Sequence, residues 1–428
     1  MKSFALRGAV CHSVSPTEIR TIRGYAVCVD GMARGVYETL PAAFASIPVI
    51  DCGDALILPG MIDLHIHAAQ YAYRGIGFDY ELLDWLDHLA FPEESKFADT
   101  AYADAAYTLF ADAMKKSATS RACIFASRHA PATEILMKKM EDAGLVSYVG
   151  KVSMDRDAPD PLREESPEAA AAELRAYIEH TQGSFAHTFP ILTPRFIPSC
   201  TDALMDAIGA LQREFSLPVQ SHLSENPGEI AYVAELRPDA AYYGDAYDKH
   251  GLFGRSPDGK PVPTIMSHCV FSGEAEIAKM REQGVIVVHC PASNMNVASG
   301  IAPIRRYLEA GLTVGLGSDV AGGQSESMFR AVTDAVQVSK LYFRHIDHDA
   351  KPIRFEEAFA MATIGGGRFF GNVGSFADGM EFDALVLDDT RAATTLAMTD
   401  RQRLERAFYL GLDRDCITKK FVGGREIF

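Results

Sequence analysis

The sequence predicts an α/β protein built on a (β/α)8 barrel of the TIM type. Short apolar runs with β-strand character alternate with longer segments in which apolar residues recur at helical spacing, the pattern of βα units around a parallel sheet. Eight such runs can be counted, which is the strand number of this barrel. The chain has 428 residues, and a single barrel commonly takes about 250, so a smaller second domain also fits.

We expect the barrel within residues 59–371. Its strands are predicted at residues 60–67, 121–127, 146–153, 188–193, 218–222, 264–269, 285–290 and 313–319. Helical spacing predicts outer-ring helices at residues 102–116, 168–180, 201–215 and 275–282. Two long polar connections follow predicted strands, and we expect them to frame the active face; they cover residues 154–167 and 237–263. Short strands outside the barrel are expected at residues 25–30, 383–387 and 420–424.

Composition points to an enzyme that acts on a small molecule. The formal net charge of −16 would repel a phosphate backbone, which argues against nucleic acid as a partner. No apolar stretch has the length of a signal peptide or a membrane span, so we expect a cytoplasmic protein with no membrane partner. The eight cysteines are scattered without a CxxC pair, and we interpret them as reduced thiols that mostly serve packing.

The first chemical signal is the pair His65 and His67 near the end of the first predicted strand. Residues two apart on a strand leave the same face, so both imidazoles would point into the barrel and could share one metal ion. Imidazole nitrogen is a preferred ligand of zinc. An isolated HxH pair is more often two polar strand residues without a ligand, so the rest of the set decides.

Three further residues end predicted strands at the same rim: His222 on the fifth, His268 on the sixth and Asp319 on the eighth. Catalytic groups of such barrels come from the carboxyl ends of several strands, so these residues would converge with His65 and His67 without being close in sequence. Taken singly, each histidine is more often a buried or surface residue with no ligand. Together, the five positions predict a metal site.

Glu225 follows His222 by three residues, where a loop carboxylate can reach a water molecule at the metal. A metal ion lowers the pKa of its water towards ~7, and a carboxylate held nearby can take that proton and return it to the substrate. Asp319 could both ligate the metal and accept a hydrogen bond from the attacking oxygen. The plain alternative for Glu225 is a solvated surface charge.

Several segments together resemble the guanine deaminase family of the amidohydrolase superfamily. The resemblance begins with PGMIDLHIHAAQY at 59–71, LLDWL at 82–86 and FPE at 91–93. It continues with GKVSMD at 150–155, TPRF at 193–196, SHLSEN at 221–226, HCPASN at 289–294 and GSDVAGG at 317–323. Two positions depart from the family pattern as we expect it: Cys269 stands in place of a glycine, and Ala292 in place of an asparagine.

The resemblance implies a homodimer that hydrolyses guanine to xanthine and ammonia with Zn2+ as cofactor. It also implies a small β-sandwich domain formed by residues 1–58 plus 372–428. The proton shuttle falls on Glu225 and the substrate-binding positions on Gln70, Arg195 and Phe196. Superfamily members with two metals use a lysine at the end of the fourth strand, which this chain lacks, so we expect one Zn2+ per subunit. The implied metal ligands are His65, His67, His222, His268 and Asp319.

Some interpretations stay open from the sequence. The barrel could deaminate another purine or a pterin, since the metal ligands do not choose the substrate, and a non-catalytic scaffold is a more remote alternative. His129 and His289 both follow predicted strands and could brace a loop or support a ligand. Trp85 lies on an apolar helical stripe and could either pack in the core or line the pocket. Residues 254–260 have the spacing of a phosphate-binding loop, but Pro261 replaces the required serine or threonine.

Overall fold

Strands and helices alternate through the middle of the chain in the computed structural model, which describes residues 3–428. The strands are β1 (Phe4–Ser15), β2 (Glu18–Val29), β3 (Met32–Tyr37), β4 (Val49–Pro59), β5 (Met61–His67), β6 (Thr119–Phe125), β7 (Val146–Gly150), β8 (Val152–Ser153), β9 (Thr188–Pro190), β10 (Thr193–Pro194), β11 (Val219–Leu223), β12 (Thr264–His268), β13 (Ile286–His289), β14 (Val314–Leu316), β15 (Ala384–Leu387), β16 (Ile417–Val422) and β17 (Arg425–Glu426).

The helices pack around these strands, and none of those in residues 3–428 is long and apolar enough to cross a membrane. They are α1 (Leu82–Trp85), α2 (Phe91–Glu94), α3 (Thr100–Lys116), α4 (Ala130–Ala143), α5 (Pro167–Thr181), α6 (Asp202–Phe215), α7 (Pro227–Leu236), α8 (Tyr243–Asp248), α9 (Glu274–Gln283), α10 (Pro291–Asn296), α11 (Ile304–Glu309), α12 (Met328–His345), α13 (Phe355–Ala360), α14 (Gly366–Phe370) and α15 (Asp400–Tyr409). Two π-helical turns extend helices, Leu86–Ala90 after α1 and Met361–Gly365 after α13.

The predicted barrel strands lie in two four-stranded parallel sheets, ordered β5-β6-β7-β9 and β11-β12-β13-β14. Each of the eight predicted runs overlaps one of these strands; β6 begins two residues before its run and β11 ends one residue after its run. The third run divides into β7 and β8, and β8 pairs in parallel with β10, which begins where the fourth run ends. Because the strands are parallel, their carboxyl ends all face one rim.

Backbone hydrogen bonds join the two sheets along both of their outer edges. Beyond β9, Leu192 bridges to Val219 of β11, and its carbonyl oxygen accepts from the Gln220 amide at 3.0 Å. On the other side, the Asp319 amide donates to the His65 carbonyl at 2.8 Å, and the His67 amide donates to the Val320 carbonyl at 3.0 Å. This second junction sets Asp319 beside the two histidines of β5.

Strands from both ends of the chain form a separate seven-stranded sheet with the order β17-β16-β15-β4-β1-β2-β3. The key pairing is antiparallel, between β15 and β4, with Ala384 opposite Pro59. Both faces are apolar: Leu56 and Leu58 of β4 join the main core, while Ile57 between them packs in a second core with Phe4 and Phe421. The β-sandwich implied by the resemblance stays a prediction, since these strands lie in one sheet.

Buried charged side chains connect this sheet to the parallel strands. Arg121 on β6 pairs with Asp383 at 2.7 Å and with Glu381 at 2.7 Å. The Lys420 ammonium on β16 donates to carbonyl oxygens at the end of α3, where helix carbonyls lack partners and carry partial negative charge. Each buried cation therefore has its compensating groups.

Candidate metal centre and substrate cleft

The histidines and the aspartate predicted as metal ligands meet at the carboxyl ends of the parallel strands. The Nε2 atom of His67 lies 3.3 Å from Nε2 of His65 and 3.2 Å from Nε2 of His222. An Asp319 carboxylate oxygen lies 3.1 Å from Nε2 of His65 and 3.5 Å from Nε2 of His67, and the other lies 3.7 Å from Nε2 of His268. The side chains of β5, β11 and β12 and the turn after β14 thus aim at one point.

Three of these imidazoles are oriented through their other ring nitrogen. Nδ1 of His222 contacts the carbonyl oxygen of Arg195 at 2.6 Å, Nδ1 of His65 contacts the hydroxyl of Ser267 at 2.7 Å, and Nδ1 of His268 contacts Oδ1 of Asn294 at 2.9 Å. A histidine whose Nδ1–H donates to an oxygen keeps a lone pair on Nε2, the arrangement that metal-bound histidines adopt. All three Nε2 atoms that are fixed in this way face the common point.

The donor set fits a divalent cation. Desolvation lowers the pKa of His65, His67 and His222, which favours neutral imidazoles with free lone pairs. Nε2 of His268 is buried without a hydrogen-bond partner, a costly state unless another group occupies the space it faces. Imidazole nitrogens around one carboxylate form the kind of set that binds zinc and related ions.

Cys290 lies beside this cluster, although the sequence analysis does not select it as a site residue. Its sulfur is within 4.8 Å of the ligand atoms of His65, His268 and Asp319. Burial raises the pKa of the Cys290 thiol well above its usual value, so the protonated form is favoured, and a thiol is a poor metal ligand. We therefore interpret Cys290 as a packing residue of the site wall.

The turns that present the ligands adopt left-handed backbone conformations. The φ angles are 72° at His268, 48° at Cys269 and 48° at Asp319. For residues other than glycine such conformations cost of order 1–3 kcal/mol each and persist where the surroundings enforce them. Cys269 is the position at which the family pattern predicts a glycine, and its positive φ explains that preference. The unfavourable backbone conformations at these positions are therefore retained where they place the side chains of the cluster.

Glu225 is buried next to the ligand cluster. One carboxylate oxygen lies 3.5 Å from Nε2 of His268, and the other accepts a hydrogen bond from Ser299 at 3.2 Å. The carboxylate of Glu229 holds the loop in place by accepting from the backbone amides of Glu225 and Asn226. Glu225, three residues after His222 in the chain, thus lies close to the cluster of proposed ligands.

The two carboxyl groups of the site have opposite protonation preferences. Burial, and after it the negative charge of Asp319, raises the pKa of Glu225 to about 8, near the pH at which a group can both accept and release protons. Burial alone would also raise the pKa of Asp319, but the adjacent His65 and the other imidazoles hold it well below its usual range. A raised pKa beside a lowered one is typical of a pair in which one carboxyl group can exchange protons and the other stays ionised.

A cleft opens over this cluster. Its apolar lining comes from Leu82, Trp85, Leu86, Phe196 and Val297. Trp85 lines the cleft and is also part of the main apolar core, so it combines the two roles left open by the sequence. Apolar walls suit a planar ring system, with polar groups at its edges to fix orientation.

Gln70 and Arg195 also line the cleft, and both bind Glu94, a residue that the sequence analysis did not select. The Arg195 guanidinium forms two hydrogen bonds to the Glu94 carboxylate, at 2.5 and 3.1 Å, and the Gln70 amide donates to the same carboxylate at 2.8 Å. Glu94 directly follows the FPE segment of the family resemblance. Nothing in the local pattern distinguished it from a surface acid, because its partners are distant in sequence.

The histidines left open by the sequence are not among the converging ligand atoms. His289 ends β13 and is buried, and neither of its ring nitrogens has a hydrogen-bond partner. His129 precedes α4, and its Nδ1 lies 3.4 Å from Arg128. Lys151, the lysine of the third predicted strand, is fully buried and pairs with Glu164 at 2.5 Å.

Comparison with known proteins identifies the family. The model of the amidohydrolase family matches residues 56–427. Guanine deaminases of Dictyostelium discoideum and Rattus norvegicus are 36% and 34% identical to this chain, over 89% and 86% of its length and 84% and 82% of theirs. The crystal structure of guanine deaminase from C. acetobutylicum with bound guanine superposes with a TM-score of 0.95 at 40% identity and covers 100% of both chains. The chain therefore belongs to the amidohydrolase family and, within it, to the guanine deaminases.

Proposed function

We propose that this protein deaminates guanine hydrolytically to xanthine and ammonia, with one Zn2+ per subunit. The observation that carries the proposal is the meeting of four imidazole Nε2 atoms and the Asp319 carboxylate at the floor of a cleft whose wall holds Arg195 and Gln70. Incubation with guanine, following ammonia release and conversion to xanthine, tests the activity. Elemental analysis of the purified protein tests the metal.

The metal would be held by the five residues of the cluster, and we propose that they form a single centre. The two groups of converging ligand atoms both contain His65. Lys151 is engaged by Glu164, which supports a site without a bridging lysine. When bound, the ion would lower the pKa of a water molecule towards neutrality and so make it a better nucleophile. The proposed ligands are His65, His67, His222, His268 and Asp319.

The protein's own residues would manage the protons of the reaction. Water adds to C2 of guanine, a C–O bond forms, and the C–N bond to the 2-amino group then breaks. The Glu225 carboxylate takes the first proton from the attacking water and passes it to ring nitrogen, and it then carries the second proton to the leaving amine. Asp319 stays ionised and accepts a hydrogen bond from the attacking oxygen. Phe196, at the cleft wall, packs against the plane of the base.

We further propose the complete fold and assembly expected from the family. The hydrogen bonds at both seams support closure of the two parallel sheets into a (β/α)8 barrel over residues 59–371. The pairing of β4 with β15 supports a composite terminal domain of residues 1–58 plus 372–428. The β-sandwich form of that domain, the homodimer and the cytoplasmic location rest on the resemblance and on composition. Light scattering coupled to size-exclusion chromatography tests the dimer.

Arg195 is expected to select guanine over adenine. Its guanidinium offers only donors, which match the O6 and N7 acceptors of guanine and oppose the 6-amino group of adenine. Arg195→Ala should lower kcat/KM for guanine by about 2 kcal/mol or more, the usual cost of losing a charge-assisted contact. The metal content should be unchanged, because the contact to His222 comes from the carbonyl oxygen of residue 195.

Steady-state kinetics on guanine and adenine measure this effect. Arg195→Lys is a useful second variant, since it keeps a cation beside Glu94 but loses the rigid fork of donors. Arg175→Ala serves as the control, because Arg175 forms a half-exposed ion pair with Glu214 away from the cleft. Unchanged guanine kinetics in Arg195→Ala, or efficient turnover of adenine by the unmodified protein, would remove Arg195 from the specificity site.

A further inference from the structure

We infer that Glu94 is a positioning residue for substrate recognition: its carboxylate locks Arg195 and Gln70 into the one arrangement in which both present donors to the substrate. This inference deepens the proposed function and rests on it. Glu94 is 1% exposed and ends α2, behind the cleft wall formed by the two residues it binds. It therefore acts through them and not on the substrate directly.

Both oxygens of the Glu94 carboxylate accept hydrogen bonds. One carboxylate oxygen accepts from Nη1 of Arg195, and the other accepts from Nη2 of Arg195 and from Nε2 of Gln70. A carboxylate can accept from all three donors and binds a guanidinium in this two-pronged geometry. The same group supplies the negative charge that the Arg195 guanidinium, 3% exposed, needs when it is withdrawn from water.

The orientation of Gln70 follows from this contact. Its Nε2 donates to Glu94, and its Oε1 accepts from the backbone amide of Ala321 at 3.2 Å. Because both ends of the amide are anchored, Gln70 cannot flip, and it has one N–H and one oxygen lone pair left for a ligand. Gln70 and Arg195 together form what we call the recognition wall of the cleft. Ala321 belongs to the turn that follows Asp319, so this wall is also connected to the cluster of proposed metal ligands.

Arg195 is fixed in the same way. Two of its five N–H donors bind Glu94, and its guanidinium carbon lies 5.1 Å from the ring centroid of Phe91. The remaining donors are held in the plane of the fork. A wall of donors with no rotational freedom suits the O6 and N7 edge of guanine, and preorganisation of this kind lowers the entropic cost of binding.

The test replaces the carboxylate by an amide of the same size. In Glu94→Gln the side chain has one acceptor oxygen, so at least one of the donors of Arg195 and Gln70 must face an N–H group. We expect kcat/KM for guanine to fall by about tenfold or more, with most of the loss in KM because a ground-state contact is weakened. Metal content should stay at the wild-type level.

Glu93→Gln is the matched control. Glu93 is the preceding residue and is also buried, but it pairs with Lys96 at 2.6 Å and with Tyr102 instead of the cleft residues. Its replacement should leave KM for guanine within about threefold of wild type, as for changes outside a binding site. Thermal melting of both variants separates a loss of fold from a loss of recognition.

A double-mutant cycle with Arg195→Ala gives the decisive readout. If Glu94 acts through Arg195 and Gln70, adding Glu94→Gln to Arg195→Ala should lower kcat/KM by a smaller factor than Glu94→Gln does alone, since only the contact with Gln70 remains to be weakened. Losses that multiply, or a Glu94→Gln protein with the guanine kinetics of Glu93→Gln, would overturn the inference. Absence of guanine turnover in the unmodified protein would instead overturn the proposed function.

Discussion

Glu225→Gln is expected to lower kcat for guanine by about a hundredfold or more, the usual contribution of a general acid–base group, while the protein keeps its metal and its fold. The amide preserves the size of the side chain and can still bind Ser299, but it cannot carry a proton. Glu225 lies 3.5 Å from His268 and is not placed among the five proposed ligands, so the change should leave the ligand set intact.

Turnover and metal content must be measured on the same preparation to separate the two roles. Glu235→Gln is a suitable control, because Glu235 is exposed on α7, in the same segment of chain but away from the cleft. His67→Ala provides the contrast: it removes an imidazole whose Nε2 lies against two others, and it should lose metal together with activity. Near wild-type turnover in Glu225→Gln would show that another group moves the protons.

The convergence of the proposed metal ligands has a simple geometric cause. Strand periodicity places His65 and His67 on one side of β5, and parallel strands bring their carboxyl ends to a common rim. His222 and His268 lie within or at the ends of their strands, as expected. Asp319 lies three residues beyond the end of β14, in a left-handed turn that periodicity does not describe.

The residues of the recognition wall and their contacts are harder to predict from the sequence than the proposed metal ligands. Gln70 and Arg195 were selected only through the family resemblance, and Glu94 was not selected. Glu94 belongs to a four-residue helix next to a π-helical turn, and its contact with Arg195 spans 101 residues of chain. No local pattern encodes such a contact, because it depends on how α2 packs against the strands. The pairing of β4 with β15, about 330 residues apart, was inaccessible from periodicity for the same reason.

Removal of the metal is expected to reduce guanine turnover to background, and one equivalent of Zn2+ per chain should restore it. Without a cation, the Nε2 atoms of the cluster face one another and the Asp319 carboxylate in a buried space, and Nε2 of His268 has no hydrogen-bond partner. Any ligand that binds the folded state alone also stabilises it, so the metal-free protein should melt at a lower temperature.

The experiment is dialysis against a chelator, followed by stepwise addition of Zn2+ with activity and melting temperature recorded at each step. Both should rise together and level off at one ion per chain, because the converging ligand atoms form one centre around His65 and Lys151 is held by Glu164. His67→Ala, treated identically, should recover neither. Activity that continues to rise to a second equivalent would contradict the single-metal site, and full activity after complete metal removal would contradict metal-dependent catalysis itself.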